Sequence, residues 1–95
     1  MNNKSAYLKF CLDEQERMID LYTHRLQCLK DGNEELDLVK VINRMKQEES
    51  SSNTVCEYDG MTWGELVLHY HELFQNKIRD CTNEITELKA QLQQN

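Results

Sequence analysis

The longest periodic segment of the chain is residues 62–93, with the sequence TWGELVLHYHELFQNKIRDCTNEITELKAQLQ. It opens with Thr62 and Glu65 in the spacing of a capping box. In that motif the threonine oxygen accepts a hydrogen bond from the backbone three residues on, and the glutamate side chain reaches back to the threonine N–H. The pattern predicts a helix over residues 62–93, which is about 46 Å long at 1.5 Å per residue.

Two apolar faces follow each other along this helix. The first half has a broad face: Trp63, Leu66, Val67, Tyr70, Leu73 and Phe74. The second half has a narrow stripe at three- and four-residue spacing, here called the C-terminal seam: Ile78, Cys81, Ile85, Leu88 and Leu92. A broad face predicts packing in the core, whereas a narrow stripe needs one opposing helix, as in a coiled coil. That opposing helix belongs either to the same chain or to a second chain.

The N-terminal part of the chain predicts one long and one short helix. Over residues 5–30, six of the seven positions at coiled-coil spacing are apolar: Leu8, Leu12, Gln15, Ile19, Tyr22, Leu26 and Leu29. Cys11 and Met18 widen this stripe, and Gly32 matches a C-terminal helix cap. A shorter stripe follows Asn33, an N-cap residue, and predicts a helix over residues 34–47: Leu38, Val41, Ile42 and Met45.

Residues 48–61 connect the second and third predicted helices. The polar run from Glu48 to Asn53 predicts a flexible loop, and Asp59 with Gly60 predicts a turn. Residues 38–42 and 54–58 also have enough β-branched and aromatic character for short strands, and those alternatives stay open. The fold class expected for residues 1–95 is nevertheless all-α: one domain of two long amphipathic helices and a short middle helix, in a hairpin or three-helix bundle with a coiled-coil-like C-terminal helix.

The predicted lengths favour an oligomer. The middle helix, about 22 Å long, is too short to cover the apolar stripes of two helices that are about 39 and 46 Å long. A 95-residue chain also buries a smaller share of its surface than a larger domain does. We therefore expect a dimer or higher homo-oligomer, or a helix of another protein, to cover the remaining apolar surface.

Composition narrows the classes of partner and compartment. The 17 acidic and 11 basic residues give a net charge of −6, which disfavours duplex nucleic acid and anionic membranes as ligands. No apolar run has the length of a transmembrane span, and the N-terminus lacks the apolar core of a signal peptide. The cysteine spacing is unlike that of a disulfide framework, so we expect reduced thiols and a cytoplasmic location, in the host cytoplasm if the protein is viral: Cys11, Cys28, Cys56 and Cys81.

No motif predicts catalysis, a cofactor or a metal site. A calcium loop starting at Asp31 would have Leu36 and Ile42 at the positions that need glycine and glutamate. His69 and His71 are two residues apart, so on a helix they point away from each other and cannot share one ion. With three glycines the chain has no nucleotide-binding loop or nucleophile elbow. We therefore expect a protein that is not an enzyme and whose stability does not respond to a chelator.

These features favour an oligomeric adaptor or inhibitor that binds and modulates another protein, either through apolar helix surface or through an acidic face that imitates nucleic acid. The general character resembles both export-chaperone-like helical bundles and the small inhibitors encoded by phages or mobile elements. This is a resemblance of type, and it transfers no functional residues. It implies inhibition of a host factor, or alternatively the binding of an export cargo. A third hypothesis is an oligomer that sequesters a small ligand such as a nucleotide, with four candidate pocket residues: Tyr22, Lys40, Arg44 and Tyr70.

Overall fold

The computed structural model of the protein describes residues 3–94 and consists of three helices. Helix α1 spans Asn3–Asp31, α2 spans Asp37–Ser52 and α3 spans Trp63–Gln93. Of the described residues, 83% are helical, and the all-α prediction is confirmed. No strand forms among residues 3–94: residues 38–42 belong to α2, and residues 54–58 lie in the connection to α3. Both strand alternatives are therefore wrong.

The two long helices pack side by side and run antiparallel. The ring of Tyr22 in α1 lies 6.1 Å from the ring of Phe74 in α3. Leu29, two turns after Tyr22 in α1, belongs to the same core cluster as Leu66, which lies two turns before Phe74 in α3. The two helices therefore run in opposite directions. The described residues extend over 66 × 20 × 18 Å. Because α3 accounts for only about 46 Å of that length, α2 and its connections lengthen one end of the hairpin.

The core lies at the end of the hairpin that carries α2, here called the α2 end. All three helices contribute to its buried cluster: Leu29, Val39, Ile42, Met45, Leu66 and Phe74. Leu66 and Val39 are the most completely buried of these side chains. Partly buried aromatic rings, Tyr22, Tyr70 and Trp63, pack around the cluster. The short helix therefore closes the core at one end of the hairpin and leaves the rest to α1 and α3.

The opposite end of the hairpin consists of α1 and α3 alone. It is here called the terminal end and comprises residues 3–15 and 81–94. Its buried side chains are Leu8, Cys81 and Leu88, each of which is 4% or 5% exposed. These residues lie outside the core cluster of the α2 end. The terminal end is consequently a contact between two helices, with a single layer of buried side chains between them.

The boundaries of α1 and α3 follow the predicted capping signals. Gly32 has φ +68°, and the N–H of Asn33 donates to the carbonyl of Cys28 at 2.9 Å, which is the six-to-one bond of a Schellman cap. At α3, the Thr62 hydroxyl accepts from the N–H of Glu65 at 3.3 Å, and the Glu65 carboxylate accepts from the N–H of Thr62 at 3.2 Å. The capping box is therefore present.

Helix α2 differs from its predicted bounds, residues 34–47, at both ends. Asn33 is not its N-cap, because the Asn33 side chain accepts from the N–H of Glu35 at 2.9 Å and forms a local turn instead. The helix begins later, at Asp37. It also continues to Ser52, so the flexible loop expected from residue 48 onward is wrong for its first five residues. The Ser52 hydroxyl donates a hydrogen bond to the carbonyl of Glu48, one turn earlier, at 2.8 Å.

The connection between α2 and α3 is held at two points. Tyr58 and Met61 exchange two backbone hydrogen bonds around Asp59 and Gly60, both of which have positive φ, as a two-residue turn of this type requires. The Glu49 carboxylate accepts from the indole N–H of Trp63 at 2.9 Å and from the N–H of Cys56 at 3.1 Å.

Lys46 adds a further contact at this junction, since its ammonium lies 4.5 Å from the centre of the Trp63 ring. The two other basic residues of α2 lie near acidic side chains: Lys40 Nζ lies 3.8 Å from Asp37 Oδ1, and Arg44 Nε lies 3.5 Å from Glu48 Oε1.

Candidate interaction surface

One line of side chains on α1 presents apolar surface to solvent. Its members, here called the α1 stripe, are Tyr7, Phe10, Met18 and Leu21, which are 66%, 60%, 36% and 45% exposed. At about 100° per residue these four positions fall within about 80° of one another around the helix. They lie about 110° from the centre of the face that packs on α3. Helix α1 therefore has two apolar faces, of which one is unpaired.

The unpaired face has the spacing of a coiled-coil seam. Positions 7, 11, 14, 18 and 21 are separated by alternating steps of four and three. Each lies one residue before a member of the stripe predicted to face the core. Cys11 in this line is half-buried, and its hydrogen bond to Tyr7 raises the pKa of the Tyr7 phenol. Near the middle, Glu14 forms an ion pair with Arg17 one turn on.

Charge is distributed unevenly between α1 and the rest of the chain. Helix α1 contains five of the 11 basic residues and five of the 17 acidic residues, so it has no net charge. The whole net charge of −6 lies on residues 32–94. Contact through α1 therefore avoids most of the repulsion that two acidic chains would otherwise experience.

The C-terminal seam lies largely inside the single chain. Cys81 and Leu88 are both 5% exposed, and Ile78, Ile85 and Leu92 are half-buried. Two of the five side chains therefore have almost no surface left for a second chain, and the other three have part of theirs. In the broad face of α3, Leu66 and Phe74 are buried as predicted, but Leu73 is 36% exposed.

The four residues suggested for a ligand pocket lie in two separate places. Tyr22 and Tyr70 pack near Phe74, with ring centres 6.1 and 6.0 Å from its ring. Lys40 and Arg44 lie on the outer side of α2, with side chains 62% and 82% exposed. The structure therefore does not gather these four residues around one cavity.

Polar groups converge at one other place, beside the α1–α2 connection. The Nε2 atom of His24 lies 3.5 Å from Cys28 Sγ and 3.4 Å from Glu35 Oε2. These three residues are here called the His24 cluster. His69, by contrast, contacts the ring of Tyr70 edge-on at 5.0 Å.

None of α1, α2 and α3 combines the length and apolar character needed to cross a bilayer, among the residues that were searched. The four cysteines are free thiols, with Cys28 and Cys81 buried and the other two half-buried. No family model, no curated protein and no solved structure matches the chain.

Sequence reasoning missed both the α1 stripe and the His24 cluster. For the stripe the signal was available, because Tyr7, Met18 and Leu21 repeat at heptad spacing, but Met18 was assigned to a widened core face. For the cluster, His24 and Cys28 are spaced four apart on one helix face. Its third member, Glu35, lies in a turn whose path could not be derived from periodicity.

Proposed function

We propose that this protein is a non-catalytic interaction protein that dimerises through the α1 stripe and modulates another protein by binding to it. The observation that carries the proposal is the unpaired second apolar face of α1, whose four members are 36% to 66% exposed. Exposed apolar side chains that share one helix face on a small protein favour a binding surface, here in two pairs on either side of Glu14. Apart from the thiols of Cys28 and Cys81, no polar or charged side chain is buried within residues 3–94, which disfavours the desolvated carboxylate or imidazole of an enzyme site.

The spacing of the stripe supports a second copy of this chain as its occupant. Tyr7 and Leu21 are each seven residues from Glu14, and Phe10 and Met18 are each four residues from it. A two-fold axis at Glu14 would therefore bring Tyr7 opposite Leu21 and Phe10 opposite Met18 in an antiparallel pair. Such a self-complementary patch is what an isologous dimer requires.

Charge at the axis is compatible with this arrangement. Two Glu14 carboxylates would meet there, but each already pairs with Arg17 of its own helix. In the antiparallel register the two guanidinium groups lie about one turn either side of the axis, where each reaches both carboxylates. The stripe is about 21 Å long, so we expect an interface below the standard size and a dimer that forms at micromolar concentrations.

The acidic surface outside α1 supports a partner with a basic face. Dimerisation through the neutral α1 leaves both copies of residues 32–94 exposed, each with the full net charge of −6. Binding that depends on this charge should weaken steeply as salt is raised, whereas the α1 contact should not. We propose that the modulated protein is recognised through this acidic surface, which makes the protein an adaptor or inhibitor.

The dimer is tested by sedimentation equilibrium at tens of micromolar. Phe10→Glu combined with Met18→Glu places glutamates opposite each other in the proposed pair, so this variant should be monomeric with an unchanged helical circular dichroism spectrum. The matched control is Val55→Glu with Leu68→Glu, two side chains that are 67% and 69% exposed and lie away from the stripe. It adds the same charge and should remain a dimer. A monomeric wild-type protein, or equal dissociation of both variants, would show that the proposal is wrong.

A further inference from the structure

We infer that the His24 cluster is a binding site for a zinc-like divalent cation, with His24, Cys28 and Glu35 as its protein ligands. The three ligand atoms, His24 Nε2, Cys28 Sγ and a Glu35 carboxylate oxygen, all lie within 4.8 Å of one another. One imidazole nitrogen, one thiol and one carboxylate make a donor set that suits zinc, since each is a ligand type that zinc accepts.

The two distances measured from His24 Nε2 agree with those around a tetrahedral zinc ion. With Zn–N and Zn–O bonds of about 2.0 to 2.1 Å and a Zn–S bond of about 2.3 Å, tetrahedral angles place nitrogen about 3.6 Å from sulfur and about 3.4 Å from oxygen. The measured separations from His24 Nε2 are 3.5 Å to Cys28 Sγ and 3.4 Å to Glu35 Oε2. Two of the three separations therefore match a tetrahedral ion, and the third, between Cys28 Sγ and the Glu35 carboxylate, is at most 4.8 Å, which the exposed Glu35 side chain can shorten by rotating.

Hydrogen bonds can hold the same three groups, because the ring N–H can donate to the Glu35 carboxylate while the Cys28 thiol is both a weak donor and a weak acceptor. A cation between the three atoms would bind all of them at once, so titration with a metal ion distinguishes the two arrangements. Because the thiol and imidazole must lose their protons to bind metal, occupancy should fall as the pH is lowered.

The surroundings of the cluster define an open coordination position. Cys28 is 3% exposed, whereas the His24 and Glu35 side chains are 62% and 69% exposed. The cluster lies in a depression of about 340 Å³ that Leu21, Leu36 and Leu38 also line. Three protein ligands on one side of the ion leave the fourth position to water.

Arg25 is the one basic side chain that lines this depression besides His24. The Arg25 guanidinium lies 5.5 Å from the centre of the Tyr22 ring. This cation–π contact holds the Arg25 charge on Tyr22 and not on the three ligands. A bound ion would tie the last turns of α1 to the start of α2. The site would thus fix the angle at which the short helix leaves the hairpin.

The experiment is titration of the reduced, metal-free full chain with Co²⁺, followed by displacement with Zn²⁺. One equivalent of Co²⁺ should produce the thiolate-to-cobalt charge-transfer band, and Zn²⁺ should abolish it and raise the melting temperature. Loss of a second-shell partner typically weakens metal affinity by about 10- to 100-fold, so His24→Gln and Glu35→Gln should each weaken it by more than about 100-fold.

Cys28→Ser should abolish the charge-transfer band, and Cys81→Ser, which changes a buried cysteine of α3, should leave it unchanged. His24 and Glu35 are exposed, so their variants test the site even if Cys28→Ser does not fold. His71→Gln is the control for binding to other histidines. Absence of the band at one equivalent, its persistence in Cys28→Ser, or equal weakening by His71→Gln and His24→Gln would overturn the inference.

Discussion

The α2 end and the terminal end are formed by the same two long helices but are stabilised differently. At the α2 end, a third helix closes a cluster of six buried side chains. At the terminal end, Leu8, Cys81 and Leu88 are buried between α1 and α3, and Tyr7 and Phe10 beside them remain exposed. A two-helix contact buries one side of each helix only. Local stability should therefore be concentrated at the α2 end.

The largest expected effect comes from truncating one leucine at each end of α3. Leu66→Ala removes a side chain that is 1% exposed and surrounded by all three helices, so it should cost about 2 to 5 kcal/mol of unfolding free energy. Leu88→Ala removes a side chain between two helices, where neighbours can close the space, and should cost less. Urea denaturation of both variants measures the difference. A larger loss for Leu88→Ala would contradict the comparison.

The sequence predicted the helical elements of both ends, because each rests on local chemistry. Heptad spacing located α1 and α3, and Thr62 and Gly32 located two of their boundaries. It failed at α2, where the Asn33 side chain could serve either a helix cap or a local turn, and the turn formed. Serines at 50–52 favour loops by composition, yet continue a helix that is already nucleated.

The candidate surfaces were predicted less well, because they depend on which face of α1 meets α3. Periodicity showed that α1 is apolar over a wide arc, but the division of that arc into a packed and an exposed stripe follows from the docking of α3. The C-terminal seam illustrates the same point, since Leu88 turns out to be buried against its own chain. Pairings that depend on tertiary docking are not encoded in the spacing of a single helix.

Two glycines at the α2 end, Gly32 and Gly64, test how the end of α1 is capped. Gly32 has φ +68° and open space around an added Cβ, so Gly32→Ala should cost about 1 to 2 kcal/mol through backbone strain alone. Gly64 lies within α3 at an ordinary helical conformation, also with open space, so Gly64→Ala should stabilise by about 0.4 to 1 kcal/mol. The melting temperature should therefore fall in Gly32→Ala and rise in Gly64→Ala, although both variants change glycine to alanine. Destabilisation by both would contradict this account of the Gly32 cap.

The threonines of α3 give a smaller contrast between the two ends. Thr62→Ala removes the acceptor for the N–H of Glu65 and should cost about 0.5 to 2 kcal/mol. Thr86 lies at the terminal end, where its exposed hydroxyl only donates to the carbonyl of Thr82, which is already inside the helix. Thr86→Ala should therefore change the unfolding free energy by less than about 0.5 kcal/mol. Equal losses in urea denaturation would mean that capping does not distinguish the two positions.

The smallest expected effect is chemical and concerns Cys56, in the connection at the α2 end. Partial burial raises the pKa of its thiol, and the carboxylates of Glu48 and Glu49 raise it further. A raised pKa lowers the thiolate fraction near pH 8, so Cys56 should react with iodoacetamide more slowly than an unperturbed thiol.

Glu48→Gln removes one of these charges without breaking the Glu49 contacts to Trp63 and Cys56. It should lower the pKa of Cys56 and speed alkylation at pH 8 by less than about tenfold, since one pKa unit corresponds to a tenfold change in thiolate. Mass spectrometry of the labelled peptide measures the rate at this cysteine alone. Glu57→Gln is the control: Glu57 adjoins Cys56 in the chain, but its carboxylate is not among the causes of the shift. The faster alkylation of Cys56 in Glu48→Gln should disappear once the pH exceeds the pKa of Cys56 in both the variant and the wild-type protein. A rate that is unchanged by Glu48→Gln, or raised equally by Glu57→Gln, would show that the Glu48 charge does not control this thiol.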